Sequence, residues 1–302
     1  MRLLLNVLIA SLLLAVSGAV LAAEPEKLDQ KVIADASGAT ATTTPDGIVK
    51  IGWSRTDVAV TVDGMTLPPA AGLGSWAAFA PIPHGAMVMG DTVVFEDEVD
   101  AAMDAAFANG LSVSALHNHF FHDSPKVYFM HIGGEGKADT LAAGVKAVWG
   151  AIKHVRSAHA TPVSGFGGET PKPGHVDATV VGKIIGQPAT DTQGVAKVTI
   201  ARNGTMHGMD VGASMGLTTW AAFSGSDTLA AIDGDFIMTA EESQPVLKAL
   251  RKGGIHVVAL HSHMMDEQPN FYFTHFWGKG KTEELAHAFR AALEAQAAVK
   301  KS

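Results

Sequence analysis

The sequence predicts an α+β protein made by tandem duplication, each repeat a mainly antiparallel sheet domain with two helices on one face. Residues 110–137 and 254–281 align without a gap at an offset of 144, and 13 of these 28 positions are identical. Such self-similarity indicates an internal repeat. Each repeat also contains alternating strand-like segments and two segments with helical periodicity. The 302 residues, 47% of them apolar, suffice for two cores, so we expect the two domains to pack as a pseudo-dimer.

The first residues have the features of a secretory signal peptide. Arg2 precedes a mostly apolar segment over residues 3–16, and small residues Val20 and Ala22 stand where a signal peptidase cleaves. We therefore assign residues 1–22 to the signal and expect a periplasmic or secreted protein. No other stretch of the sequence is apolar enough to span a bilayer, so we expect no membrane anchor after cleavage.

Each repeat shows the same order of elements, β-β-β-β-α-β-β-α. In the first repeat, alternation of apolar and polar residues predicts strands over 48–54, 58–62, 76–80, 86–95, 111–119 and 126–132. Spacing at i, i+3 and i+4 predicts helices over 96–109 and 138–152, and Gly110 is placed to end the first of them. Helices on one face of a mainly antiparallel sheet are the expected arrangement.

The domain boundaries follow from the repeat and from a change of composition. Residues 155–174 are rich in glycine, proline, serine and threonine, which is typical of a linker. We predict a first domain over 23–154, a linker over 155–174 and a second domain over 175–302.

The duplicated segment carries a histidine motif, HxHxxx[DE]xPx5H. It comprises His117, His119, Asp123 and His131 in the first repeat, and His261, His263, Glu267 and His275 in the second. Residues two apart on a strand point to the same face, so each HxH pair can reach one ion, and a hairpin can return the third histidine to it. The sequence therefore predicts metal ligands at these six histidines and a catalytic role, or a fourth ligand, for Asp123 and Glu267.

Three imidazoles with a carboxylate suit a divalent transition metal, of which zinc is our expectation. Copper is the alternative, because Met206, His207, Met209 and Met215 form a methionine- and histidine-rich stretch in the second repeat. Histidine also braces hairpins through hydrogen bonds, so a structural role for the six residues stays open. Tyr128 and Tyr272 occupy matching positions and are expected to pack within strands.

The motifs resemble those of the LppY/LpqO family, an exported bacterial family of unknown function. The matching segments are Gly72-Leu73, Trp76-Ala77-Ala78-Phe79, Gly90-Asp91, Ala115-Leu116-His117-Asn118-His119, Ser124-Pro125, Met130-His131 and His275-Phe276-Trp277-Gly278-Lys279-Gly280. The resemblance implies an exported protein but no particular activity. The chain has no cysteine for lipidation, and Asp123, preceded by an additional His122, stands where glutamate is expected.

Two functions from different classes remain open at this stage. One is a metal-dependent hydrolase, in which the bound ion acidifies a water molecule. The other is a non-catalytic periplasmic module that binds a metal or a small molecule. The net charge of −8, which becomes −9 when the single arginine of residues 1–22 is removed, argues against a nucleic-acid partner. The sequence leaves the oligomeric state open.

Overall fold

The computed structural model describes residues 26–299. The signal peptide expected over residues 1–22 lies outside these residues. Among the described residues, no helix combines the length and the apolar character that a bilayer crossing requires.

The described residues form six α-helices, three in each repeat. Their bounds are Gln30–Ser37 (α1), Val99–Ala108 (α2), Ala138–Ala158 (α3), Ala178–Ile185 (α4), Ala240–Lys252 (α5) and Thr282–Val299 (α6). The two helices predicted for each repeat are α2 and α3, and α5 and α6. A short helix, α1 or α4, precedes them, and its eight residues are too few for a clear periodic pattern. Aspartate side chains cap both short helices at their N-termini, and left-handed glycines end them.

The strands follow the predicted order, with short additional pieces. Those of the first repeat are Ala41–Thr43 (β1), Val49–Ser54 (β2), Thr61–Val62 (β3), Met65–Thr66 (β4), Gly74–Ile82 (β5), Gly85–Phe95 (β6), Ser112–His117 (β7), Asp123–Ser124 (β8) and Val127–Gly136 (β9). Those of the second repeat are Ala189–Thr192 (β10), Val195–Ala201 (β11), Gly204–Met206 (β12), Met209–Val211 (β13), Thr218–Gly225 (β14), Ala230–Met238 (β15), His256–His261 (β16), Glu267–Gln268 (β17) and Tyr272–Gly280 (β18). The predicted strand over 58–62 shortens to β3.

Both repeats contribute to one twelve-stranded antiparallel sheet. Its order is β1-β2-β5-β6-β9-β7-β16-β18-β15-β14-β11-β10, in which the second half mirrors the first. The halves meet where β7 pairs with β16, with Leu116 opposite Leu260. The expected pseudo-dimer is therefore a strand-paired one.

The two faces of the sheet are covered differently. On one face, Val113, Met130 and Ile132 pack in one core with helix residues such as Met103 and Val148. The alternate strand residues point to the opposite face, since side chains alternate along a strand. In the first repeat, part of that opposite face is covered by the small sheet β4-β3-β8 and its adjoining loops; in the second, by β13-β12-β17. The histidines of the motif lie on this second face.

Candidate metal centre

The β7–β9 pair brings the three histidines of the first repeat together. His117 ends β7 opposite Phe129, and His131 lies two residues further along β9 on the same face. His119 follows in the loop and stacks flat on the ring of Phe129. The ring centre of His117 lies 5.1 Å from that of His119 and 5.0 Å from that of His131.

The second repeat reproduces this arrangement. The ring centre of His261 lies 5.1 Å from that of His263 and 5.0 Å from that of His275. One ligand nitrogen from each of these three residues lies within 4.8 Å of the other two. Two nitrogens bonded to one zinc ion at about 2 Å stand at most about 4 Å apart, so a small movement of the rings would let the three imidazoles share an ion. The structure thus groups all six predicted histidines into two clusters, one in each repeat.

Backbone carbonyl groups orient several of the rings. The Nδ1 atoms of His117 and His261 lie 3.4 Å from the carbonyl oxygens of Asn118 and Ser262. The Nδ1 atom of His275 lies 3.3 Å from the Gly234 carbonyl oxygen. When Nδ1–H donates a hydrogen bond to a carbonyl, the electron pair of Nε2 is free to bind a metal ion. Metal-ligating histidines are commonly held in this way.

Each cluster also contains an aspartate that the motif did not identify. Asp235 Oδ2 lies 3.3 Å from His263 Nε2, and Asp91 Oδ1 lies 3.9 Å from His131 Nε2. Both carboxylates are largely buried, and Oδ1 of each is a buried oxygen with no hydrogen-bond partner. The signal in the sequence is a Gly-Asp pair that recurs at positions 90–91 and 234–235, at the repeat offset of 144.

Burial shapes the protonation of these groups. Burial raises the pKa of Asp235, although the three neighbouring histidines partly oppose the shift. Burial also lowers the pKa of His119 and of His263, and the adjacent imidazoles of each cluster lower it further. The lowered values favour neutral imidazoles, which is the form that binds a metal ion.

The two carboxylates predicted to be catalytic lie in the short strands β8 and β17, and each accepts a hydrogen bond from the backbone N–H four residues later. Asp123 accepts hydrogen bonds from the Val127 N–H at 2.7 Å and from the Lys126 ammonium at 3.0 Å. Glu267 accepts from the Phe271 N–H at 2.8 Å. The catalytic role of Asp123 and Glu267 stays a prediction, but these contacts are those of turn-forming residues. Asp91 and Asp235 occupy the places beside the histidines that the motif had given to Asp123 and Glu267.

The two tyrosines and the methionine-rich stretch of the second repeat lie in different parts of the fold. Tyr128 and Tyr272 pack at the border of the helix-side core, as expected. In the methionine-rich stretch, Met206 packs under the small sheet of the second repeat, whereas Met209 and Met215 are exposed.

These observations define a duplicated α+β protein with one histidine–aspartate cluster in each repeat, on the face of the large sheet opposite the helices. The chain belongs to the family DUF1529, described as Domain of Unknown Function (DUF1259), whose model matches residues 31–151 and 179–295. The two matched segments coincide with the two repeats. No curated protein matches the chain.

Three solved structures show a distant likeness. The trimeric bacterial microcompartment shell protein PduB is 9% identical, with 84% of this chain and 89% of that chain covered and a TM-score of 0.23. The ethanolamine utilization protein EutL from Leptotrichia buccalis is 13% identical, with 72% of this chain and 83% of that chain covered and a TM-score of 0.19. EtuB from Clostridium kluyveri is 11% identical, with 86% of this chain and 91% of that chain covered and a TM-score of 0.21. TM-scores this low carry no argument about this chain.

Proposed function

We propose that the protein is an exported metal-binding protein with two sites, each formed by three imidazoles and one aspartate. The ligands are His117, His119, His131 and Asp91 in the first site, and His261, His263, His275 and Asp235 in the second. A divalent transition metal fits this donor set, and zinc is the expected ion, with copper as the alternative.

The observation that carries this proposal is the second cluster. Three histidine nitrogens within 4.8 Å of one another face a buried carboxylate that has an oxygen without a hydrogen-bond partner. A buried unsatisfied carboxylate is costly unless a cation compensates it. A metal ion would supply that compensation and would use the nitrogen electron pairs at the same time.

The donor count favours binding over hydrolysis. Three histidines and one aspartate supply the four donors of a closed tetrahedral site, whereas catalytic zinc sites keep one position for water. Asp123 and Glu267, the expected general bases, are engaged in their own turns. The function we favour is therefore a metal-binding module, and hydrolase activity is the alternative.

Export and the finer family assignment belong to the same proposal. The signal-like residues 1–22 support a periplasmic or secreted location, and a metal or small-molecule ligand rather than a nucleic acid is the expected partner. The motifs of both repeats, including Gly90-Asp91 and Met130-His131, support membership of the LppY/LpqO family.

Metal analysis of untagged protein purified without chelator tests this function. We expect about two equivalents of one divalent transition metal per chain, one for each four-donor site. Asp91→Asn and Asp235→Asn should each lower the metal content per chain. His84→Ala changes an exposed histidine outside both clusters and should leave the metal content unchanged. A metal-free wild-type chain that takes up no zinc, copper or nickel on dialysis would return the histidines to a structural role.

Four protein ligands in a metal-edge absorption spectrum would favour binding, and a bound water would favour hydrolysis.

A further inference from the structure

A glutamine side chain completes the sheet on one side of the β7–β16 junction. β7 and β16 pair only around Leu116 and Leu260, so the N-terminal part of each strand lacks a strand neighbour on that side. The side chain of Gln244, from α5, accepts a hydrogen bond from the Val113 N–H at 3.0 Å. It also donates one to the Val113 carbonyl at 2.7 Å. The carboxamide thus takes the place of a paired strand.

The equivalent place in the other half holds an aspartate. At the repeat offset of 144, Asp100 corresponds to Gln244 and Val257 corresponds to Val113. A carboxylate cannot donate to a carbonyl, and both oxygens of Asp100 are engaged elsewhere, one by Arg251 at 2.7 Å and the other by His256. Among the described residues, no side chain bonds the Val257 backbone as Gln244 bonds that of Val113.

A cavity of about 350 Å³ lies at this unfilled place and is lined by Val257. Apolar walls are supplied by Leu116, Tyr128 and Phe166, whose ring stacks on His256 with 3.8 Å between ring centres. The linker is fixed to the wall, because the Val163 N–H donates to Asp97 at 2.9 Å. The cavity is therefore built from both repeats and from the linker between them.

The charge of the lining is acidic. Glu96, Asp97 and Asp100 all line the cavity. Asp97 pairs with Arg156, and Asp100 with Arg251, whereas Glu96 forms no ion pair with any residue of 26–299. Glu96 is exposed, and the Lys126 ammonium acts on it electrostatically without forming a contact ion pair. A ligand with a positive charge would therefore meet a carboxylate that is free to form such a pair.

We propose that this cavity binds a small cationic amide. The amide group would pair with the Val257 N–H and carbonyl as the Gln244 carboxamide pairs with Val113, and the ammonium or guanidinium group would face Glu96. The apolar walls would contact the carbon chain between the two groups. The site is distinct from the histidine clusters and does not depend on metal binding.

Calorimetric titration of the full chain with three probes tests the pairing of the two groups. N-acetyl-L-lysinamide carries an amide and a cation, N-acetyl-L-norleucinamide carries only the amide, and n-pentylamine carries only the cation. We expect the first to bind at least about tenfold more tightly than the other two. Equal affinity for all three probes, or no detectable binding of the lysine amide, would overturn the proposal.

Two variants locate the binding within the molecule. Asp100→Gln places a carboxamide where it can satisfy Val257, so we expect it to abolish binding of the lysine amide. Glu96→Gln should weaken that binding about tenfold and leave the norleucine amide unaffected, while Glu135→Gln, at an exposed carboxylate outside the cavity, changes neither. Unchanged binding by a folded Asp100→Gln protein would contradict the site; if that variant does not fold, Glu96→Gln decides alone.

Discussion

Asp235 lies directly opposite His275 in the register of β15 and β18. Asp91 has the same relationship to His131 across β6 and β9. Directly opposed residues of an antiparallel pair share a face and have neighbouring Cβ atoms, so the strand register itself brings each carboxylate to its imidazole. The candidate centre thus depends on three adjacent strands rather than on one hairpin.

Removing one histidine from each cluster should distinguish two sites from one shared site. The clusters lie within separate repeats, on either side of the β7–β16 junction, so we expect His119→Ala and His263→Ala each to remove about half of the bound metal. The three histidine nitrogens of the second cluster lie within 4.8 Å of one another, which predicts that His263→Ala removes the tighter equivalent. Metal titration followed by equilibrium dialysis measures both quantities. Complete loss from either single change would indicate one shared ion.

Asp235→Asn should stabilise the metal-free protein. Burial raises the pKa of Asp235 in the folded state, so its ionised form destabilises the fold at pH values above that pKa. The penalty disappears below the pKa of the unfolded chain, where the group is protonated in both states. We therefore expect Asp235→Asn to raise Tm by a few degrees at pH 7 in chelator and to have little effect near pH 3.

The neighbouring Asp233→Asn is the matched control, because Asp233 is an exposed carboxylate on the same strand and should leave Tm unchanged. With zinc present, the order should reverse, since only the wild-type site retains its fourth ligand. Differential scanning calorimetry with and without metal checks both signs. A lower Tm for metal-free Asp235→Asn at pH 7 would show that the carboxylate stabilises the fold without an ion.

Much of the fold could be predicted because the pattern occurs twice. Residues 86–95 and 138–152, predicted as a strand and a helix, appear as β6 and α3, the latter extending to Ala158. The joining of both halves into one sheet could not be predicted, because it depends on the single pairing around Leu116 and Leu260, which carries no local signal. The sequence does not predict the short helices α1 and α4, because eight residues give little periodicity.

The site was predictable in its histidines and not in its carboxylates. The pairing of β7 with β9 places His117 and His131 on one face, whereas His119 lies in the loop after β7 and stacks on Phe129. Asp123 was the nearest acid in sequence, but its carboxylate folds back onto the Val127 N–H. Asp91 lies 40 residues before His131, and only the register between β6 and β9 brings the two together.

Arg55→Ala should be among the most damaging substitutions outside the site. The Arg55 guanidinium is fully buried and makes two hydrogen bonds to Glu98, of 2.8 and 2.9 Å, and one to the Val93 carbonyl. Loss of one partner of a buried ion pair costs about 3–5 kcal/mol, and the remaining pair between Glu98 and Arg156 should keep the cost near the lower end of that range. Urea unfolding should show this loss.

The corresponding pair of the second repeat, Arg202 and Glu242, is the internal control for that prediction. Glu242 keeps hydrogen bonds from the Thr239 N–H and from Gln296 when the arginine is removed. Glu98 likewise keeps Arg156 and the Phe95 N–H when Arg55 is removed, so the two pairs differ chiefly in the arginine. The Arg55 side chain is fully buried and that of Arg202 is 16% exposed, so Arg202→Ala should cost less than Arg55→Ala. Equal losses would mean that burial of the arginine does not determine the cost.

Gly234, the residue before Asp235, lies where the sheet leaves no room for a side chain. A Cβ atom at this position would lie 2.2 Å from the Trp220 carbonyl oxygen and 2.3 Å from the Phe276 ring, so β14 or β18 would have to shift. We expect Gly234→Ala to destabilise the fold by about 1–3 kcal/mol, the usual cost of overpacking, and to weaken metal binding by moving Asp235 away from the histidines.

Gly150→Ala is the matched control, because Gly150 lies inside α3 with nothing within 4 Å of its Cβ position. Alanine there should stabilise the protein by about 0.5–1 kcal/mol and leave metal binding unchanged. Urea unfolding and zinc titration of both variants check the opposite signs, and full metal affinity in Gly234→Ala would show that the position of Asp235 does not control the site.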